Sequence, residues 1–140
     1  MTRLAGVSCS RTIESSTDCR HPKMSCRVWD WIHDPDRECG GFVAELDGEI
    51  VGIAHYRRFL RPSAGAVGIW LDDLFTCPEA RGKGVGRALI ERLQAIAAAE
   101  GASVVRWITA EDNSQAQALY DTLAKRTNWV TYDAAPQNAR

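Results

Sequence analysis

Seven consecutive residues carry the clearest chemical signal: Arg81-Gly82-Lys83-Gly84-Val85-Gly86-Arg87. A strand precedes them and a helix follows, which is phosphate-binding geometry. The first N–H groups of a helix lack intrahelical partners and carry partial positive charge. Glycines let the backbone come close to an anion, and Arg81, Lys83 and Arg87 add positive charge. Two common phosphate motifs fail. A P-loop needs Lys-Ser/Thr at its end, but Gly86 is followed by Arg87 and Ala88. A dinucleotide fingerprint needs a third glycine three residues after the second, and Gly84 is followed by Val85, Gly86 and Arg87.

The elements around this turn follow from periodicity. Phe42–Leu46 reads as a strand, Asp47-Gly48 as a two-residue hairpin turn, and Glu49–Tyr56 as the returning strand. Arg61–Gly65 is a loop, and Ile69–Thr76 a third strand closed by Pro78. After the turn, Leu89, Leu93, Ile96 and Ala97 share a helix face, and Gly101 ends that helix. Ser103–Thr109 is a strand. Asn113 or Ser114 caps a second helix with Ala116, Leu119, Tyr120, Leu123 and Ala124 on its apolar face. Trp129–Tyr132 is a short last strand. The order β-β-β-α-β-α-β predicts an α/β fold: a mixed, mainly antiparallel twisted sheet flanked by helices. Before Gly40-Gly41 only Met24, Val28, Trp31 and Ile32 show helical spacing, stopped by Asp34-Pro35-Asp36, and the first 23 residues have no assignable element.

The block from Leu71 to Ile90, with its Arg-x-x-Gly-x-Gly core at Arg81, Gly84 and Gly86, closely resembles motif A of the GNAT superfamily of N-acetyltransferases. Asn113-Ser114-Gln115-Ala116-Gln117-Ala118-Leu119-Tyr120 resembles that family's later Asn…Ala…Tyr block, in the expected order. The resemblance runs from about Phe42 to Tyr132. Its nearest flavour is the small-molecule and histone acetyltransferase branch, together with the polyamine acetyltransferases. It implies one domain over 1–140, with 1–40 an atypical N-terminal segment and 41–133 the recognisable core. The strand and helices of the acceptor side, which belong in those first 40 residues, are expected to be incomplete.

The resemblance also implies roles. Backbone amides of Gly82, Lys83, Gly84, Val85, Gly86 and Arg87, led by Arg81, would hold the pyrophosphate of acetyl-CoA. Leu74, Phe75 and Thr76 would pair with the pantetheine arm and polarise the thioester carbonyl, in a slot where this strand splays from Val104–Thr109. Tyr120 matches the general acid that protonates the departing thiolate; a phenol titrating near pH ~10 suits that task. Against this, an aromatic on an apolar helix face is more often core. Asn113 would contact CoA, cap its helix, or both. Asp72 matches a glutamate of the polyamine acetyltransferases. A carboxylate is a poor direct base for an ammonium, so Asp72 would bind the cation and relay its proton through water. Asp73 points to the opposite face of a regular strand and reads as structural. His55 is of a residue type better suited to act as a base, but a lone histidine in a strand is more often packed. Trp29 and Trp31 are candidates for acceptor contact; Trp70, Trp107 and Trp129 read as core or interface. Cys77, beside Pro78 with no evident base, is rejected as a nucleophile.

Composition bounds the rest. The chain has 140 residues, 17 Lys+Arg against 18 Asp+Glu, and 45% hydrophobic residues. That suits one globular domain. A net charge of −1 disfavours nucleic-acid binding. No apolar run spans a membrane or forms a secretion signal, which predicts a cytoplasmic protein. The five cysteines match no zinc spacing and form no closed disulfide set, so free thiols and no metal are expected. The reading is an acetyl-CoA-dependent N-acetyltransferase acting on a small-molecule or peptide amine in a ternary complex, with a homodimer left open. The alternatives are a CoA-binding sensor or partner module impaired in catalysis, and a binder of NAD or another nucleotide.

Overall fold

The computed structural model describes residues 7–10 and 26–137. The chain divides into two compact units, Met1–Ile108 and Thr109–Arg140. The first holds a five-stranded sheet in sequential order: β1 (Val7–Ser10), β2 (Cys39–Leu46), β3 (Glu49–Arg61), β4 (Ala66–Thr76) and β5 (Val105–Arg106). The pairs β1–β2, β2–β3 and β3–β4 are antiparallel, and β4 and β5 are parallel. Helix α1 (Cys26–His33) precedes β2, and α2 (Val85–Glu100) connects β4 to β5. A parallel pair needs such a crossover, and an amphipathic helix supplies it.

The hairpin forms as its turn dictates: Asp47 and Gly48 both have positive φ, 54° and 82°, as a two-residue turn matching strand twist requires. The strands are longer than their apolar runs suggest. β2 takes in Gly40 and Gly41, and β3 continues to Arg61, because cross-strand pairing extends both. Val7–Ser10 is a strand that periodicity did not reveal; it is short and earns its place by pairing with Val43–Leu46.

The core lies between α2 and one sheet face. Leu89, Ile90 and Leu93 are fully buried, and Phe42, Ala44, Ala54, Ile69 and Leu71 are buried strand residues. Each such large aliphatic side chain contributes about 1.5–3 kcal/mol. Gly52 sets how closely helix and sheet approach. A Cβ there would stand 2.7 Å from Val85 Cγ1 and 3.1 Å from Leu89 Cδ1. At its far end α2 stops at Gly101, whose φ of 70° lets the chain turn back. Arg58 on β3 forms a two-pronged ion pair with Glu100, with Nε donating at 2.7 Å.

The second unit contains α3 (Ser114–Leu123). Asn113 caps it, its Oδ1 accepting from the Ala116 N–H at 3.2 Å. Residues 125–137 form neither helix nor strand. The expected strand at Trp129–Tyr132 is absent: Trp129 is 82% and Tyr132 90% exposed, and no partner strand meets them among the described residues. Trp129 is therefore not core. No helix among the described residues is long and apolar enough to cross a membrane.

Candidate active site

The glycine-rich turn is built by backbone conformation. β4 ends at Thr76, a short 3-10 turn spans Pro78–Ala80, and Ala80 is buried. Gly82 and Gly84 have φ of 78° and 81°, a region that L side chains enter at a cost of about 1–2 kcal/mol. Gly84 is the residue before α2, and no side chain caps that helix. Its first turn holds no acidic residue, and Arg81 and Lys83 are exposed beside it. Uncapped N–H groups, positive side chains and the helix dipole together favour a bound anion. Val85, against Gly52, fixes the height of this turn over the sheet.

The pairing of β4 with β5 is short. Its ladder with β5 consists of Ile69↔Val105 and Trp70↔Arg106, and β4 runs on to Thr76 without further pairing to β5. The strand expected over Ser103–Thr109 is thus reduced to two residues. Leu74, Phe75 and Thr76 lie in the stretch beyond the last β5 rung, on the side leading to the turn.

A second cluster lies on the sheet face away from α2. His55 pairs with Asp73 and Tyr56 with Leu71, so Asp72 is the extra residue of a β-bulge. This corrects the expectation that Asp73 points to the face opposite Asp72. The bulge resets the alternation, and both carboxylates reach partners two residues apart on β3. Arg57 Nε donates to both oxygens of Asp72, at 3.1 and 3.2 Å, and its guanidinium lies 5.5 Å over the Trp70 ring. His55 Nδ1 stands 3.2 Å from Asp73 Oδ2. Cys39, the register partner of Arg57, feels the same charges. Burial, then the fields of Asp72 and Asp73, push its thiol above the ordinary range, with Arg57 opposing.

His55 differs from its neighbours. It is 5% exposed, and its Nε2 is the one buried side-chain nitrogen or oxygen without a hydrogen-bond partner among the described residues. An unsatisfied buried polar atom costs about 1–3 kcal/mol. A carboxylate only accepts hydrogen bonds, so Nδ1 carries the proton toward Asp73 and Nε2 presents a bare lone pair in the neutral ring.

The other candidates are less concentrated. Tyr120 is half-buried on α3, and burial raises its phenol above the ordinary range, which keeps it protonated at neutral pH. Trp31 is 37% exposed with Arg37 stacked 5.6 Å over its ring. The side chain of Trp29 lies outside the described residues. Cys77 is disulfide-bonded while Cys39 is free, so the free-thiol expectation fails at Cys77. Among the described residues no group of three or more His, Cys, Asp or Glu is placed to hold a metal. Sequence reasoning missed Arg57 and the partnership of His55 with Asp73. The alternation Ile53, His55, Arg57 on one face was the available signal, but the bulge that aligns the aspartates with it was not.

The acetyltransferase (GNAT) family profile matches residues 10–124. The D-amino-acid N-acetyltransferase of Saccharomyces cerevisiae is 38% identical over 113 residues, covering 79% of this chain and 70% of that protein. The L-2,4-diaminobutyric acid acetyltransferase of Nocardia farcinica is 34% identical over 85 residues, 60% of this chain and 42% of that protein. An aminoglycoside acetyltransferase structure from an uncultured soil metagenomic sample superposes with a TM-score of 0.66 at 27% identity, covering 77% of this chain and 71% of that one. The positive-φ glycine turn opening a helix, the β4 edge running past its neighbour and a family match spanning most of the sequence agree, and this chain belongs to the GNAT family of acetyltransferases.

Proposed function

We propose that the protein transfers the acetyl group of acetyl-CoA to the primary amine of an amino-acid-like acceptor, directly within a ternary complex. The observation that carries this is the β4 edge: Leu74–Thr76 continues beyond the last β5 rung and leads into an uncapped helix N-terminus flanked by Arg81 and Lys83. Such an edge suits the amide-bearing arm of CoA, and the turn suits its pyrophosphate. Backbone N–H groups there would stabilise the oxyanion formed when the amine attacks. Tyr120, assigned by its motif, gives its proton to the leaving thiolate.

The acceptor class rests on charge and on relatives. Two named relatives act on D-amino acids and on L-2,4-diaminobutyric acid, both of which carry an amine and a carboxylate. The bulged face offers both signs, Arg57 for a carboxylate and the exposed Asp73 for an ammonium. Thiol release from acetyl-CoA, measured over D- and L-amino acids, 2,4-diaminobutyrate, putrescine, an aminoglycoside and a lysine peptide, tests the reading. Amino acids should give the highest kcat/KM. CoA binding without turnover on any amine would leave a sensor or partner module instead, and preference for a polyamine or peptide would remove the amino-acid class.

A further inference from the structure

We propose that His55, oriented by Asp73, is the base that takes the proton from the acceptor amine through Nε2. The inference rests on the acetyltransferase reading above and names a residue within it.

Three observations converge. The ring is buried, and among the described residues its Nδ1 meets Asp73 Oδ2 at 3.2 Å. Nε2 is buried and unpartnered. A carboxylate on Nδ1–H with a bare Nε2 opposite is the arrangement by which an imidazole is held in the right tautomer to act as a base. The third observation is place. The His55↔Asp73 rung is followed directly by Ala54↔Leu74, where the stretch proposed to polarise the thioester begins, about 3.4 Å further along the strand. Asp72 is the weaker candidate because both its oxygens already face the Arg57 guanidinium.

The step balances. An N–H bond of the acceptor ammonium breaks and its proton joins the Nε2 lone pair, giving an imidazolium beside the Asp73 carboxylate. The freed pair on nitrogen attacks the thioester carbonyl carbon. A C–N bond forms, the C–S bond breaks, and sulfur keeps its electron pair. The sulfur takes up a proton, matched by the second N–H proton that the nitrogen loses as the amide forms. The imidazolium returns its proton to water.

His55→Asn keeps an N–H near the Nδ1 position and removes Nε2. With acetyl-CoA and the fastest acceptor of the amine panel, it should lower kcat at least ~100-fold. KM for acetyl-CoA should stay within about twofold. Asp73→Asn, on an exposed side chain, should lower kcat about tenfold or more while leaving the fold intact. It keeps the test decisive if His55→Asn does not fold. Nitrogen-15 NMR of histidine-labelled protein should show Nδ1 protonated and Nε2 bare, with the proton moving to Nε2 in Asp73→Asn. A kcat that survives both substitutions overturns the proposal alone, as does a resting Nε2–H. An unsubstituted protein that acetylates no amine overturns the reading beneath it.

Discussion

The glycine turn before α2 and the bulged face of β3 and β4 are two parts of one sheet that work by different means. The turn acts through backbone: positive φ at Gly82 and Gly84, uncapped N–H groups, and Val85 seated on Gly52. The bulged face acts through side chains: His55 on Asp73, Arg57 on Asp72, with Trp70 beneath the guanidinium. A backbone cradle suits a co-substrate whose recognised part is a phosphate, the same for every reaction of the family. Side-chain charge at a register-dependent site is easily altered by substitution, and suits an acceptor that differs between relatives. On the proposed reading the difference makes cofactor and acceptor recognition physically separable, so perturbing one should leave the other's constants nearly unmoved.

Gly84→Val is the strongest attempt to break that separation. A β-branched residue at φ 81° is strained, by about 1–2 kcal/mol or more. The turn must then shift its amides. KM for acetyl-CoA should rise at least about tenfold, since ~1.4 kcal/mol of lost binding is a factor of ten. KM for the acceptor should change little. An equal rise in both constants would show that the two regions are one mechanical unit.

Arg57→Met probes the other region with a smaller effect. The arginine is half-exposed, so its ion pair contributes little stability, about 0–1 kcal/mol. Removing it frees Asp72 and deletes the proposed carboxylate contact. The ratio of kcat/KM for amino acids to that for putrescine should fall about tenfold, the size expected for one lost charged contact. KM for acetyl-CoA should not move. An unchanged ratio would take Arg57 out of acceptor recognition and leave it as support for Asp72.

The turn was legible in the sequence because its signals are local. Glycine spacing, the cations and the helix that follows lie within a few residues of one another, and so do the Asp47-Gly48 hairpin, the Gly101 stop and the Asn113 cap. The bulged face was only half legible. Asp72 and His55 stood out by type, but their alignment depends on one extra residue in the β3–β4 register, which pairing over some fifteen to twenty residues decides. The same holds for Val7–Ser10, whose strand exists through β2, and in reverse for Trp129–Tyr132. There β-prone residues meet no strand among the described residues and stay exposed. Tertiary pairing overrode propensity in each case.

Cys39 gives the finest readout of the comparison, because it reports the bulged face without any substrate. Burial first, then the negative fields of Asp72 and Asp73, hold its thiol protonated above the ordinary range, and Arg57 pulls the other way. The sign follows from linkage. With the folded value raised, the neutral thiol's contribution to stability is complete below the ordinary thiol range. It is lost as pH climbs through the folded value. Only the thiolate is alkylated, so iodoacetamide should modify Cys39 more slowly at pH 8 than it modifies a solvent-exposed cysteine, as followed by peptide mass spectrometry. Asp73→Asn should speed that reaction by about two- to threefold and Arg57→Met should slow it, since each removes one sign of field at short range. Gly84→Val should leave it unchanged. Acceleration by the turn substitution would mean that strain at Gly84 reaches the bulge, and the separation of the two regions would fail at its most sensitive point.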